Sequence, residues 1–380
     1  MPDTPTQADY SLQGKATGRL AAAPELPYRP PTPRVYRPGI GLIGCGGISE
    51  AHLKAYRQAG WDVRVLCDLV SERAERRRRE FFPAAAVTTD YRELLRRDDV
   101  QVADVATHPA ERVEIIAAAL ESGRHVLSQK PFVLDLDTGE RLAALADEKG
   151  LRLAVNQNGR WAPHFAYARE AVRAGLLGDL VSVHCGVHWD HTWTVGTPFE
   201  DVEDLVLYDF GIHWFDFVAS LLGKRSATRV QASRGRAQGQ KARPPMLAQA
   251  IIEFPGGQAS LVFDAHIPFG PLDHTYVGGI RGSLHSAGPN LGEQRVVLTT
   301  ASGRAEPALE GSWFPDGFRG TMGELLRAIE EDREPLNGAR ENLRSLALCF
   351  AAIAAAHDGQ ARVPGQVRRL PLPPVRSSPT

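Results

Sequence analysis

"GLIGCGGISEAH", residues 41–52, decides the fold of this chain. A short apolar run enters three close glycines, Gly44, Gly46 and Gly47, and a helical pattern leaves them. At a strand-to-helix turn of this kind Gly44 permits the tight bend and Gly46 lets the backbone approach a pyrophosphate. The helix start then offers free N–H groups and the positive end of its dipole. The third fingerprint position is Ser49 rather than Gly or Ala. The following strand "DVRVLC" ends before Asp68, 19 residues beyond Ser49, the separation at which an acidic side chain meets the adenosine ribose hydroxyls. These residues predict a dinucleotide held by Gly44, Gly46, Gly47, Ile48 and Asp68. A carboxylate at 68 repels a 2′-phosphate, so NAD is favoured over NADP, for which Arg73 and the arginines after it are the argument.

Outward from this turn, strand-like runs at 39–44, 62–67, 100–106, 125–128 and 151–155 alternate with helical patterns at 48–59, 71–81, 90–97, 109–122 and 137–149. Gly60, Gly123 and Gly150 close several of the helices. Strands and helices in alternation mean a parallel sheet with crossover helices. Residues 39–156 are therefore read as an α/β Rossmann domain with a doubly wound parallel sheet. After Asn156 the pattern changes. A helix at 163–174, a strand "LVSVHCGVHW" and a helix near 204–222 precede β-type runs at 228–236, 246–254, 258–267, 276–285 and 294–300. Strands in succession predict an α+β second domain, 157–365, with a mostly antiparallel sheet. Helices near 320–331 and 338–357 end it. Residues 1–38 are proline-rich and without apolar periodicity, and are read as a disordered tail in preference to a docked arm; 366–380, with "LPLPPVRSSPT", are read as a flexible tail.

The chain has 380 residues, 43% apolar and 23% charged, with formal net charge −1. Such a composition describes a globular protein long enough for two cores. No stretch nears the roughly 18 apolar residues of a membrane span, and near-neutral charge argues against a nucleic-acid binder. The basic run "ERAERRRRE", 72–80, is read as a solvated helix face. Cys45, Cys67, Cys185 and Cys349 lack metal spacing and suit a reducing compartment. With no secretion signal evident, a cytoplasmic location is expected. No metal site is predicted.

In "HVLSQKPFV", 125–133, Lys130 is one of only six lysines in a chain whose other basic residues are arginine. It follows a parallel strand, at the carboxyl edge where open α/β sheets bind ligands. Pro131 fixes its turn, with a cis bond as one option. Further on, "YDFGIHWFDF" carries Asp209 and His213 four apart, on one helical face. Amine, carboxylate and imidazole are the groups a hydride-transfer site needs to move a hydroxyl proton and favour an alkoxide.

"GLIGCGGISEAHL", "SQKPF" and "YDFGIHWFDF", in this order, resemble the Gfo/Idh/MocA family over about residues 39–365. The resemblance implies a Rossmann domain, a second domain whose open sheet is often used for oligomerisation, and NAD(P)-linked oxidation or reduction of sugars, inositols and related polyols. It implies that Lys130 contacts nicotinamide ribose and substrate hydroxyl, that His213 is the general acid/base, and that Asp209 holds substrate or steers His213. Thr107, Pro109, Gln129 and Asn158 join the expected cofactor contacts. Two departures stand out. Gln129 replaces the usual Glu of the Glu-Lys-Pro motif, which is expected to ease deprotonation of Lys130 by removing a carboxylate partner. Arg112 stands where a histidine is common.

On the substrate side, "NQNGRWAPH" leads between the domains, so Arg160 and Trp161 are expected at the cleft. "VHWDHTWT" is dense in groups that suit a carbohydrate, so His188, Trp189, Asp190 and Trp193 are expected substrate contacts. The combined reading is an NAD-dependent dehydrogenase of a secondary hydroxyl on a sugar, glycoside or cyclitol, assembled as a homodimer or homotetramer. Two alternatives are a glycoside-cleaving enzyme that uses the same hydride step for transient oxidation and elimination, and an inactive dinucleotide-binding regulatory protein, against which Lys130, Asp209 and His213 together argue.

Overall fold

The computed structural model describes residues 19–371. Six parallel strands form the first sheet: β1 (Gly39–Ile43), β2 (Asp62–Cys67), β3 (Ala86–Thr88), β4 (Val102–Val105), β5 (His125–Gln129) and β6 (Leu153–Asn156). Their spatial order is β3-β2-β1-β4-β5-β6. The order reverses between β1 and β4, the switch point at which a doubly wound sheet opens a crevice for a ligand. Crossovers run through α1 (Ser49–Ala59), α2 (Ser71–Phe81), α3 (Tyr91–Leu95), α4 (Pro109–Glu121) and α5 (Leu136–Glu148). β1 and β4 are buried along their whole length, as strands covered on both faces must be.

α6 (Pro163–Arg173) leads into the second sheet. Its strands are β7 (Leu180–His188), then, after α7 (Ile212–Leu222), β8 (Arg229–Gly235), β9 (Leu247–Phe254), β10 (Gly257–Asp264), β11 (Leu272–Gly279), β12 (Gly282–Asn290), β13 (Glu293–Thr300) and β14 (Gly303–Ala305). The order is β14-β13-β12-β11-β7-β10-β9-β8. β7 and β10 are parallel and the other neighbours antiparallel. Residues at every second position, such as Val183, Cys185 and Val187 of β7, enter the core, and His184 and His188 take the opposite face. α8 (Trp313–Glu330) and α9 (Ala339–Asp358) complete the chain. Phe318, Met322 and Leu325 of α8 pack with Leu42 and Leu53 of the first unit, tying the end of the chain back to the glycine turn.

Four expectations need correction. The run at 276–285 is two strands, because the chain turns at Ile280 and Arg281 between glycines 279 and 282. Residues 19–38 lie as an arm along the protein: the Glu330 carboxylate accepts N–H bonds from Arg34, Val35 and Tyr36 at 3.0, 2.8 and 2.8 Å, and the Tyr167 hydroxyl donates to the Pro24 carbonyl. Prolines remove backbone donors, so this arm docks through the N–H groups it retains together with carbonyls such as those of Pro24 and Thr32; residues 1–18 lie outside the described residues. Residues 366–371 are also engaged, since Leu136 N–H donates to Arg368 O and Leu370 N–H to Leu134 O; 372–380 lie outside. Finally, Arg77 of the basic run is buried. Its guanidinium donates to Ser49 Oγ and reaches Glu50, Glu80 and the carbonyls of Gly46 and Gly47, bracing the turn from behind while Arg73, Arg76 and Arg79 remain exposed.

Candidate active site

The glycine turn is shaped for close approach. Gly44 has φ +99°, and a Cβ there would lie 3.0 Å from the Ala106 carbonyl, so a side chain would be both strained and obstructed. Above Gly46 and Gly47 a Cβ would meet nothing within 4 Å. α1 has no side-chain cap at Ile48; its Glu50 and Ala51 N–H groups donate to the Gly47 and Ile48 carbonyls, and the positive end of the helix dipole faces the glycine turn. Thr107 Oγ1, just past the end of the neighbouring strand, is buried without a partner among the described residues. An open cradle, an uncapped helix start and an orphaned hydroxyl fit a dinucleotide. Asp68 stands at the rim, its two oxygens accepting Cys45 N–H and Val70 N–H, both at 2.8 Å. Arg73 is half exposed and 4.0 Å from Asp68. Pro109 opens α4 directly after Thr107 and His108.

At the end of β5 Lys130 leaves the sheet, followed by a cis bond to Pro131. Its ammonium donates to Asp209 Oδ2 at 3.1 Å and to the Asp209 carbonyl at 3.0 Å. Asp209 lies in a π-helical turn, Val206–Phe210, ahead of α7, closed by Gly211 N–H donating to Val206 O at 2.7 Å. The pair is thus not two residues of one regular helical face; the wider turn brings the Asp209 carbonyl and carboxylate to Lys130. Asp209 pairs with Lys130, and no hydrogen bond joins it to His213 among the described residues.

His213, in the first turn of α7, is buried, and its Nδ1 has no partner among the described residues. Its ring meets Trp313 edge to face at 5.1 Å, and Trp313 Nε1–H donates to Asn158 Oδ1 at 2.6 Å. Asn158 therefore binds the wall of the second unit. Burial, and then the nearby Lys130 charge, hold the imidazole pKa well below its ordinary value, so it is neutral near pH 7. Lys130, Asp209, His213 and Trp313 come from residues 130 to 313 and meet at one edge.

Gln129 points into the protein. It is buried, its Oε1 accepts Lys130 N–H at 2.7 Å, and its Nε2 faces His52 Nε2 at 3.1 Å. The expected loss of a carboxylate beside Lys130 does not occur, since Asp209 supplies one. Arg112 is likewise internal: its guanidinium donates to the carbonyls of Gln129, Thr107 and, at 2.6 Å, Pro131. Burial pushes its pKa down to about 10, and it braces the two loops.

Most of the expected substrate residues are engaged elsewhere. Arg160 is buried against Asp216, Nε to Oδ2 at 2.6 Å and Nη2 to Oδ1 at 2.9 Å, and also donates to the Leu336 carbonyl. Trp161 is buried against Gly320 and under the Arg169 guanidinium. His188 lies on the outward sheet face, paired with Asp264 at 2.7 Å and stacked on His274. Asp190 accepts Thr192 N–H at 3.0 Å and serves its own turn. Trp189 packs on Trp214, the neighbour of His213. Trp193 is 54% exposed; its Nε1–H donates to His191 Nδ1 at 3.0 Å, and His191 stacks on Phe210, next to Asp209. The sequence reading missed His191, Phe210, Trp313 and the buried His52. Aromatic density at 189–193 and the polar His52 on an apolar helix face were the available signals; nothing in sequence connects Trp313 to His213.

The family model described as "Oxidoreductase family, NAD-binding Rossmann fold" matches residues 39–157, and the GFO/IDH/MocA C-terminal domain matches 165–285. A D-apiose dehydrogenase of Paraburkholderia graminis is 26% identical over 84% of this chain and 88% of its own. Among solved structures, an oxidoreductase from Agrobacterium radiobacter in complex with NAD+, L-tartaric acid and magnesium aligns with TM-score 0.77 at 18% identity, over 87% of this chain and 99% of its own. A levoglucosan dehydrogenase in complex with NADH and levoglucosan aligns with TM-score 0.74 at 19% identity, over 87% and 100%. With two matched domains in family order on a Rossmann sheet and an open second sheet, the chain belongs to the Gfo/Idh/MocA family of NAD-binding oxidoreductases.

Proposed function

We propose that this chain is an NAD-dependent dehydrogenase that moves a hydride between a secondary hydroxyl of a sugar, glycoside or cyclitol and the nicotinamide, with Lys130, Asp209 and His213 as its acid–base group. The observation that carries the reading is the Lys130–Asp209 pair at 3.0–3.1 Å, joining the carboxyl edge of the Rossmann sheet to the turn before α7 beside a neutral His213. A neutral imidazole is in the state that accepts a hydroxyl proton during oxidation, and an ammonium beside the same oxygen favours the developing alkoxide. Asp209 fixes the direction of that ammonium. Gly44, Gly46, Gly47, Ile48, Asp68, Thr107 and Pro109 would hold NAD, which when bound supplies the hydride acceptor.

Trp193, backed by His191 and Phe210, offers an aromatic surface suited to the C–H face of a sugar ring. The D-apiose and levoglucosan dehydrogenases among its relatives support that substrate class. The outward face of the second sheet carries Ile251 and Tyr276 with His184, His188 and His274; such a face suits a second copy of the chain, in a homodimer or homotetramer. All four cysteines are buried free thiols, in keeping with a reducing, cytoplasmic setting.

The test is a panel of sugars, glycosides and cyclitols with NAD and, separately, NADP, followed by NADH or NADPH absorbance. NADH formed in step with an oxidised product is expected. Release of a sugar at constant NAD would replace the reading with elimination, and bound NAD with no turnover on any compound would refute it.

A further inference from the structure

Gln129 is the family departure whose position in the fold says most. Its amide is oriented by a donor that cannot change, the Lys130 backbone N–H, which Oε1 accepts at 2.7 Å. The amide nitrogen is therefore the end that faces His52 Nε2 at 3.1 Å. Since an amide nitrogen only donates, His52 Nε2 carries a lone pair. From the other side, Asp104 Oδ2 lies 2.7 Å from His52 Nδ1 and accepts the Tyr56 hydroxyl at 2.7 Å. A carboxylate only accepts, so the proton of His52 sits on Nδ1. Asn156 Nδ2 then donates to the same Nε2 at 3.1 Å, and Asn156 Oδ1 accepts the Thr321 hydroxyl at 2.7 Å. His52 and Asp104 are both fully buried, so no solvent competes for these positions.

We propose that Gln129 is a positioning residue for Lys130. Asp104 sets the His52 tautomer, His52 orients the Gln129 amide, and that amide fixes the Lys130 N–H. Arg112 holds the carbonyls of Gln129 and Pro131, the residues on either side of Lys130, so the turn that carries the Lys130 N–H is braced on both sides and the Lys130 ammonium reaches Asp209. A glutamate at 129 does not fit this arrangement. One of its oxygens would keep the Lys130 N–H, and the other would face the bare His52 nitrogen. Relief requires one added proton in the hydrogen bond between the new carboxyl and His52 Nε2, where the native amide supplies its own N–H.

This inference rests on the acid–base reading of Lys130, and its test has a part that needs no turnover. Nitrogen NMR of histidine-labelled protein with NAD, with His52 assigned by loss of its signals in His52→Gln, reads the tautomer directly. Nδ1–H with a bare Nε2 is expected in the native protein, and an Nε2 signal changed by a proton held between it and the new carboxyl in Gln129→Glu. In turnover, Gln129→Met should lower kcat about 10- to 100-fold, the effect of misplacing a reacting group, with KM for NAD and for the hydroxyl substrate within about threefold. Gln129→Glu should add an ionisation to the pH–rate profile that the native enzyme lacks. A native His52 that is Nε2-protonated or doubly protonated overturns the proposal, as does native kcat in Gln129→Met where Lys130→Met is impaired. Native kcat in Lys130→Met would instead refute the acid–base reading on which it rests.

Discussion

Replacing Arg160 by methionine separates two accounts of this residue, a substrate contact at the cleft or an internal brace. Arg160→Met keeps an apolar stem and removes the guanidinium. It strands Asp216, which is 1% exposed, with the Ser345 hydroxyl at 2.7 Å as the one remaining side-chain partner among the described residues. It also deprives the Leu336 carbonyl of its donor. Removing one member of a buried ion pair costs about 3–5 kcal/mol, because the surviving charge is left uncompensated. Urea unfolding should report a loss of that order, with KM for the sugar nearly unchanged in protein that remains folded. Adding Asp216→Asn removes the stranded charge, and the double variant should recover about 1–3 kcal/mol of the loss. A stability change below about 1 kcal/mol, together with a KM raised about tenfold or more, would refute the brace and return Arg160 to the substrate.

Acid should destabilise the fold through buried histidines. Burial pushes His164 down to about 3, with neither ring nitrogen partnered, and burial followed by the Arg152 charge pushes His125 down to about 4. Their folded values lie below the unfolded one near 6.5, so the stability they permit is complete above about pH 6.5 and is lost as pH falls toward 3–4, when only the unfolded chain takes up protons. For His164 the loss between pH 7 and pH 5 is about 2 kcal/mol; His164→Phe should lack it, and an equal loss in native and variant urea curves would contradict the linkage. Glu330→Gln should make the 19–38 arm several-fold more open to limited proteolysis, since a single amide oxygen replaces a carboxylate that accepts three N–H bonds. Unaltered cleavage would place the grip on the arm elsewhere.

The alternating strands and helices were legible because each has its own period, and α2 runs from Ser71 to Phe81, as its pattern predicts. Lys130, Asp209 and His213 stood out because chemistry-bearing side chains followed recognisable punctuation. What sequence did not reveal were commitments between distant segments. Arg160 beside Trp161 looks like a cleft residue until Asp216 and Leu336, 56 and 176 residues away, are seen to claim it. His188 is polar in an aromatic stretch, and only the register of β7 with β10 sends it outward to Asp264. Asp104, a lone carboxylate in the apolar run "VADVA", was the readable sign of the His52 network, since a charge in a buried strand requires a partner.

Single-turnover NADH formation by native protein and by Lys130→Met, with saturating NAD and a hydroxyl substrate from the panel, tests the central claim most directly. A rate lower by about 10²–10⁴-fold, the range for loss of a positioned acid–base group, with NAD affinity within about threefold, is the predicted result. Equal rates in the two proteins would contradict it.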